Sequence, residues 1–197
     1  MNYTKISIES ILDWLKSNLT EKRYAHSIGT AECARNLAVK YSLEPEKAYL
    51  AGLLHDCAKC FSTEKLISLI EENIPEVDEI EKSNKKTLHA PVSAYVAKQT
   101  FGVNDEEILS AIRWHTLGKL NMTDFEKIIF LADKIEERTR ENWYAQPIRS
   151  YLTEKNGLNK PILQCYKQTI KSLVERDLMI CPLTIDIYNQ YQKDLNS

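Results

Sequence analysis

The sequence predicts an all-α fold, and three observations support this prediction. Apolar residues recur at spacings of three and four, as in Ile8, Ile11, Leu12 and Leu15, which is the periodicity of an amphipathic helix. No stretch of five or more residues alternates cleanly enough between apolar and polar side chains to predict a strand. Only five glycines occur, and most of the six prolines stand where a helix would begin, as Pro45 does, or where a loop would turn.

The same periodicity predicts ten helices along the chain. They cover residues 6–19, 21–41, 45–58, 63–72, 90–101, 105–115, 123–138, 147–155, 159–177 and 184–194. Four helices follow a residue type that commonly caps a helix and precedes an acidic first turn: Thr20, Ser62, Asn104 and Thr123. Residues 73–88 are rich in charge and are expected to form a loop that is mobile over the candidate site.

Composition narrows the class of protein. The chain has 197 residues, of which 43% are hydrophobic and 27% charged, and these values are ordinary for one globular domain. A net charge of −2 argues against binding a nucleic-acid polymer through a basic face. The longest apolar run, from Ala48 to Leu54, is far shorter than a membrane span of about 20 residues. The N-terminus does not resemble a signal peptide, and five cysteines without framework spacing predict a cytoplasmic protein.

All four histidines combine with two aspartates into one pattern. The residues are His26, the adjacent pair His55 and Asp56, His89, His115 and Asp133. A buried carboxylate beside a buried imidazole is costly unless something compensates, and a metal ion is the commonest compensation. The residues come from five separate segments, as expected for a site inside a helical bundle. Imidazole and carboxylate without thiolate favour iron, manganese or another first-row metal over a structural zinc.

Each of these residues also has a structural explanation when it is taken alone. His26 fits a hydrogen-bonded core histidine, and His115 fits a histidine that donates to a carbonyl at its helix end. Asp133 fits a surface ion pair with Lys134 or Lys127. The joint pattern favours the metal site, because all of these explanations would have to hold at once.

Two cations are placed to meet a phosphate near such a metal. Lys59 follows Asp56 by three residues and projects from the same face if the helix continues. It then fits either a partner for phosphate oxygens or a solvated lysine at a helix end. Arg23, one turn before His26, fits either a phosphate contact or a pairing with Glu21 on its own helix.

Five segments of the chain resemble the HD-domain metal-dependent phosphohydrolases, and specifically the YqeK family of bacterial symmetrical diadenosine tetraphosphate hydrolases. The segments are RYAHSIG at 23–29, AGLLHDCAK at 51–59, LHAP at 88–91, AIRWHTLG at 111–118 and LADKIE at 131–136. Together they cover roughly residues 20 to 140. This set of segments identifies the family far more specifically than a His-Asp pair alone.

The resemblance implies a single HD-type domain over 1–197, an all-α helical bundle with a C-terminal helical extension. Its metal-binding core would span 20–140 and its C-terminal helices 147–197. One iron-type ion would be held by four residues, namely His26, His55, Asp56 and Asp133. His89 and His115 would either hold a second ion, with Asp56 bridging, or contact the phosphate directly. The cofactor would be one or two iron ions, with manganese, cobalt or nickel as alternatives.

The resemblance also implies the reaction, which is cleavage of diadenosine tetraphosphate to two ADP. Asp56, Lys59, His89 and His115 would form the catalytic set, with Asp56 acting as a ligand and not as a nucleophile. The substrate would be bound by six residues: Arg23, Lys59, His89, His115, Thr116 and Cys181. Cys181 stands where the family pattern has a histidine before the proline, so a packing or backbone contact is expected there.

The expected partner is therefore a small dinucleotide, with no nucleic-acid polymer and no membrane, and a homodimer is left open. One alternative function is that of an HD phosphohydrolase acting on another nucleotide. The other is a non-catalytic nucleotide sensor, although such a module would be expected to lack some of the metal ligands. A structural protein with one closed metal site fits less well, because the six candidate ligands together with Lys59 exceed what a closed site needs.

Overall fold

The structure is a computed structural model that describes residues 3–77, 79–84, 86–152 and 157–196. In these residues the chain forms eleven α-helices, one 3-10 helix and no strand. The elements are α1 (Ile8–Asn18), α2 (Glu21–Lys40), α3 (Pro45–Leu54), the 3-10 helix (Cys57–Cys60), α4 (Thr63–Asn73), α5 (Glu79–Ser83), α6 (His89–Gln99), α7 (Glu106–Trp114), α8 (Asp124–Ile135), α9 (Asn142–Tyr151), α10 (Asn159–Glu175) and α11 (Pro182–Asn196). The predicted all-α fold is confirmed. None of the helices described here has the length and apolar character that crossing a bilayer requires.

The centre of the fold is α2, which packs against both α3 and α8. Gly52 allows α3 to approach α2 closely. A Cβ atom at this position would lie 2.8 Å from the Cα of Ala31 and 2.9 Å from the carbonyl oxygen of Thr30. This close contact sets the separation between His26 on α2 and His55, which directly follows α3.

Aromatic rings join the C-terminal helices to α8. Phe130 of α8 stacks on Tyr166 of α10 with ring centroids 5.6 Å apart, and Tyr166 stacks on Tyr191 of α11 at 6.5 Å. The Tyr166 hydroxyl donates to the carbonyl of Leu117 at 2.6 Å, which ties α10 to the turn after α7. The C-terminal helices therefore pack against α8 and against the turn that follows α7.

The third helix ends at Leu54, and the prediction that it continues to residue 58 is wrong. Asp56 adopts φ −109° and ψ 15°, which ends the α-helical path, and the chain goes on as the 3-10 helix. Lys59 therefore does not share an α-helical face with Asp56. Residues three apart eclipse each other in a 3-10 helix, which explains why Lys59 nevertheless lies within electrostatic reach of Asp56.

The segment 73–88, predicted to be a loop, contains the short helix α5. Glu81 of α5 accepts two hydrogen bonds from the guanidinium of Arg113 on α7, at 2.8 and 2.6 Å. Leu88 is fully buried. These contacts anchor the described part of the segment, and local sequence does not reveal them because Arg113 is distant along the chain. The mobility of the segment stays a prediction.

Two predicted helix starts are shifted. Asp105, and not Asn104, caps α7, because its carboxylate accepts two backbone N–H groups of the first turn. The helix predicted at 147–155 begins five residues earlier, so Pro147 lies inside α9 and not in its first turn. The predicted end of this helix at residue 155 lies outside the described residues.

Candidate metal centre and adjoining cavity

The six histidine and aspartate residues of the sequence pattern converge in the structure. His26 lies on α2, His55 and Asp56 follow α3, His89 begins α6, His115 follows α7 and Asp133 lies on α8. All six are buried, and none is more than 6% exposed. Five of them provide two groups of potential ligands that share Asp56, namely His26, His55 and Asp56, and Asp56, His89 and His115. Asp133, the sixth, lies beside the two histidines of the first group.

In the first group, the imidazoles of His26 and His55 face each other, and the carboxylates of Asp56 and Asp133 lie beside them. The Nε2 atoms of His26 and His55 are 3.2 Å apart. Asp133 Oδ1 lies 2.9 Å from His26 Nε2 and 3.6 Å from His55 Nε2. His55 Nδ1 donates to the carbonyl of Gly52 at 2.6 Å, so the neutral ring presents a lone pair at Nε2. A cation placed among these atoms satisfies them together, and the donor set therefore fits a metal.

The second group repeats this arrangement on the other oxygen of Asp56. Asp56 Oδ1 lies 2.9 Å from His89 Nε2 and 3.4 Å from His115 Nε2, and these two nitrogens are 3.1 Å apart. His115 Nδ1 donates to the carbonyl of Ile112 at 2.7 Å, which directs the Nε2 lone pair of the neutral ring toward Asp56. Asp56 Oδ2 faces the first group, 3.8 Å from His55 Nε2. The geometry of Asp56 therefore suits a carboxylate that bridges two cations.

The electrostatics of the centre favour the protonation states that metal binding requires at Asp56, Asp133, His89 and His115. At His26 burial is outweighed by hydrogen bonds to Asp133 and Glu136, which raise the pKa of the ring, so a metal that binds there displaces a proton. Burial alone would raise the pKa of Asp56, but His55, His115 and His89 hold it well below its usual range. Burial lowers the pKa of His115 to about 4 and also lowers the pKa of His89. The pKa of Asp133 is likewise held well below its usual range, against its burial, with Lys134 as the largest favourable influence. Ionised carboxylates and neutral imidazoles are the forms that bind metals.

Glu136 is a functional candidate that the sequence reasoning missed. It is fully buried at the end of α8, and its carboxylate accepts from His26 Nδ1 at 3.0 Å. Hydrogen bonds from His26 and Thr139 overcome the effect of burial and lower the pKa of Glu136 to about 2. Its spacing of three residues from Asp133 within the predicted helix 123–138 was a usable signal, because such residues share a helix face, although in the structure the helix ends at Ile135.

Replacing Glu136 with glutamine is expected to weaken metal binding roughly tenfold to a hundredfold. The physical reason is that the carboxylate orients the His26 ring and makes it more basic. Competition with a metal chelator at neutral pH measures the change. Glu32→Gln is the matched control, since Glu32 is an exposed carboxylate paired with Arg138. Equal metal affinities for the Glu136 variant and the native protein would show that Glu136 has no such role.

Four cationic side chains border the two groups of ligands, and Lys134 Nζ lies 2.6 Å from Asp133 Oδ2. Arg23 Nη1 lies 3.2 Å from Asp56 Oδ2. Arg140, which the sequence reasoning also missed, pairs with Asp133 and places Nη2 3.2 Å from His26 Nε2. Lys59 makes no hydrogen bond or ion pair with any residue that the structure describes, and burial lowers its pKa. The centre therefore combines buried anions with cations that reach in from its edge.

The two remaining sequence candidates differ in their surroundings. Thr116 follows His115, and its buried hydroxyl has no hydrogen-bond partner within the described residues. Cys181 directly precedes α11 and is half-buried, and its carbonyl accepts the N–H of Thr184 at 2.9 Å. The thiol of Cys181 makes no hydrogen bond with the described part of the chain. A packing contact of Cys181 near a nucleotide stays a prediction.

A cavity of about 500 Å³ opens beside the first group of ligands. It lies between the start of α2 and the segment that joins α8 to α9. Its walls are formed by Thr20, Lys22, Arg23, His26, Thr139, Arg140, Glu141, Trp143 and Tyr144. The volume is in the range of small-molecule sites, which is about 300–1,000 Å³. His26 is thus the member of the centre that the cavity reaches directly.

Comparison with known proteins places this site in a family. The family model of the HD domain matches residues 23–138, and HD domains bind divalent metals. The chain is 40% identical over 179 residues to the symmetrical bis(5'-nucleosyl)-tetraphosphatase of Halalkalibacterium halodurans, covering 91% of this chain and 94% of that one. It is 36% identical over 187 residues to the enzyme of the same name from Staphylococcus aureus, covering 94% and 95%.

A solved structure agrees with these sequence relatives. The crystal structure of an HD superfamily hydrolase from Clostridium acetobutylicum, described as involved in NAD metabolism, superposes with a TM-score of 0.90 at 37% identity. The superposition covers 96% of this chain and 98% of that one. The resemblance found in the sequence is thereby confirmed. The chain belongs to the HD-domain superfamily and, within it, to the YqeK-type symmetrical bis(5'-nucleosyl)-tetraphosphatases.

Proposed function

We propose that this protein is a metal-dependent hydrolase that cleaves diadenosine tetraphosphate symmetrically to two ADP. The observation on which the proposal rests is the pair of His/Asp groups that share Asp56. The names of relatives that match more than nine-tenths of the chain support the substrate and the position of cleavage. We further propose a cytoplasmic location, consistent with five free cysteines.

In this proposal the two groups hold two divalent ions, for which iron is the first candidate and manganese, cobalt and nickel are alternatives. His26, His55, Asp56 and Asp133 would hold one ion, and Asp56, His89 and His115 the other. A bound divalent metal supplies Lewis-acid polarisation of a phosphoryl oxygen and lowers the pKa of a water molecule toward ~7. The nearby thiol of Cys57 donates to the carbonyl of Ser93, and burial raises its pKa, which argues against a thiolate ligand.

The cations at the edge of the centre would bind the phosphate chain. Arg23 and Arg140 pair with Asp56 and Asp133 in the structure. Once these carboxylates serve as metal ligands, the two guanidinium groups are available to phosphate oxygens. Lys59 is available already, because it has no ion-pair partner in the described residues. Thr116, with its unpaired hydroxyl, would donate to a phosphate oxygen beside His115.

Replacing Lys59 with alanine is expected to lower kcat about a hundredfold and to leave the metal content unchanged. The reason is that the ammonium group of the half-buried Lys59, within electrostatic reach of Asp56, stabilises the negative charge that develops on the phosphate in the transition state. Steady-state kinetics and metal analysis of the same sample measure both quantities. Lys65→Ala, at an exposed position of α4, is the matched control. A native kcat in the Lys59 variant would remove this residue from the mechanism.

The alternative function is hydrolysis of another nucleotide by the same centre, and the description of the Clostridium acetobutylicum relative favours considering it. A substrate panel separates the two. Protein stripped of metal and reconstituted without oxygen with ferrous iron is assayed on diadenosine tetraphosphate, NAD, dGTP and AMP. The proposal expects turnover of the dinucleotide tetraphosphate to exceed the others at least tenfold and to vanish without metal. Faster turnover of another compound would identify that compound as the substrate. Binding of the dinucleotide without turnover, with every metal tested, would favour a nucleotide sensor. Light scattering on the same sample tests for a homodimer.

A further inference from the structure

The cavity beside His26 contains a feature that the proposed chemistry does not explain. Trp143 lines this cavity, and 77% of its surface is exposed. Its ring and that of Tyr144 are nearly perpendicular, with centroids 6.0 Å apart and planes at 80°, and most of the indole surface remains open to solvent. A large apolar side chain at this exposure adds little to the core, and its flat faces suit a planar ligand.

The same cavity is positively charged close to the metal ligands. Lys22, Arg23 and Arg140 line it, against the single acidic residue Glu141. Two of these cations contact the centre itself, since Arg23 pairs with Asp56 and Arg140 with Asp133. Guanidinium groups bind phosphate oxygens with good geometry. One cavity thus combines an aromatic surface with cations that border the ligand groups.

We propose that this cavity is the subsite for one nucleoside diphosphate half of the substrate, in which Trp143 stacks on the base. This inference rests on the proposed function. Cleavage at the central bridge leaves a nucleoside with two phosphates on each side, and each half needs space outside the metal ligands. A volume of about 500 Å³ is in the range that holds a ligand of this size. Arg23 and Arg140 bind the diphosphate, and the indole holds the base.

Stacking on an aromatic ring is tolerant of base identity, because every base has a flat π face. The subsite is therefore expected to accept adenine and guanine alike. The described lining residues offer one acidic side chain, Glu141, as a polar partner for a base edge. Trp143 then contributes affinity for one half of the dinucleotide and does not act on the reacting phosphates.

Tryptophan fluorescence tests the contact without relying on turnover. ADP is titrated into the metal-loaded protein, and into the Trp143→Phe and Trp14→Phe variants. Quenching is expected in the native protein and in Trp14→Phe, because Trp14 packs edge-on against Phe101 and does not line the cavity. The quenching is expected to disappear in Trp143→Phe. Quenching that persists in Trp143→Phe, or no quenching in the native protein, would overturn the subsite.

Kinetics on diadenosine tetraphosphate provide the second readout. Trp143→Ala is expected to raise KM roughly tenfold or more with kcat within about twofold of native, and Trp143→Phe is expected to restore most of the affinity. A native KM in Trp143→Ala would contradict the stacking role. If the native protein does not hydrolyse the dinucleotide, the proposed function fails, whereas the fluorescence titration with ADP still decides the subsite.

Discussion

Replacing Asp56 with asparagine is expected to remove most of the bound metal and to lower turnover at least about a thousandfold. Asp56 is the residue that both ligand groups share, and its two oxygens face different histidine pairs. Asparagine keeps the size of the side chain but removes the negative charge. Both groups therefore lose a ligand through one substitution. Metal analysis by mass spectrometry and turnover of diadenosine tetraphosphate, measured on one preparation, test this expectation.

The control for Asp56→Asn is Glu46→Gln, which removes an exposed carboxylate paired with Arg35. Circular dichroism shows whether each variant keeps its helices. The control is expected to match the native protein in metal content and turnover. An Asp56→Asn variant that keeps both its metal and more than a tenth of native turnover would contradict the assignment of the shared ligand.

Replacing Gly52 with alanine is expected to destabilise the protein by about 1–3 kcal/mol and to weaken metal binding. The added Cβ would meet backbone atoms of Thr30 and Ala31 at 2.9 and 2.8 Å. Backbone atoms in a packed helix pair do not move aside as a flexible side chain does, so α3 must shift away from α2. That shift separates His55 from His26. Chemical unfolding measures the free energy, and chelator competition measures the metal affinity.

The sign of the Gly52→Ala effect is itself informative. In a helix without a steric conflict, alanine is more favourable than glycine by about 1 kcal/mol. Ser17→Ala, at an exposed position of α1 where the hydroxyl donates to the carbonyl of Asp13, is a control without a steric conflict, in which metal binding is expected to stay native. A more stable Gly52→Ala protein with native metal affinity would show that the contact between α2 and α3 does not set the geometry of the site.

Much of the fold could be predicted because the helices pack through amphipathic faces, and a face is visible in the spacing of apolar residues. Starts with side-chain caps were also predictable, as Thr20, Ser62 and Thr123 each accept a backbone N–H at their predicted helix start. The helix over 147–155 was misplaced because α9 begins without a side-chain cap. Helix α5 was missed because its anchor is Arg113, a tertiary partner.

Some residues of the candidate site could likewise be predicted from the sequence, and others could not. His55 and Asp56 could be found in the sequence, because a charged pair at the end of an apolar run has few structural explanations. Arg140 could not, since it reaches Asp133 and His26 from the segment after α8. An arginine in a charged segment gives no indication that its side chain folds back onto the metal ligands. The roles of all these residues in catalysis stay proposals.

The measurement that tests the central claim most directly is hydrolysis of diadenosine tetraphosphate in water enriched in oxygen-18. The metal-loaded protein is incubated with the dinucleotide, and the products are separated and their masses are measured by mass spectrometry. Symmetrical attack predicts ADP as the sole product, with one heavy oxygen on the terminal phosphate of one ADP in each pair. Formation of AMP and ATP would contradict the central claim, because water would then attack an outer bridge of the phosphate chain.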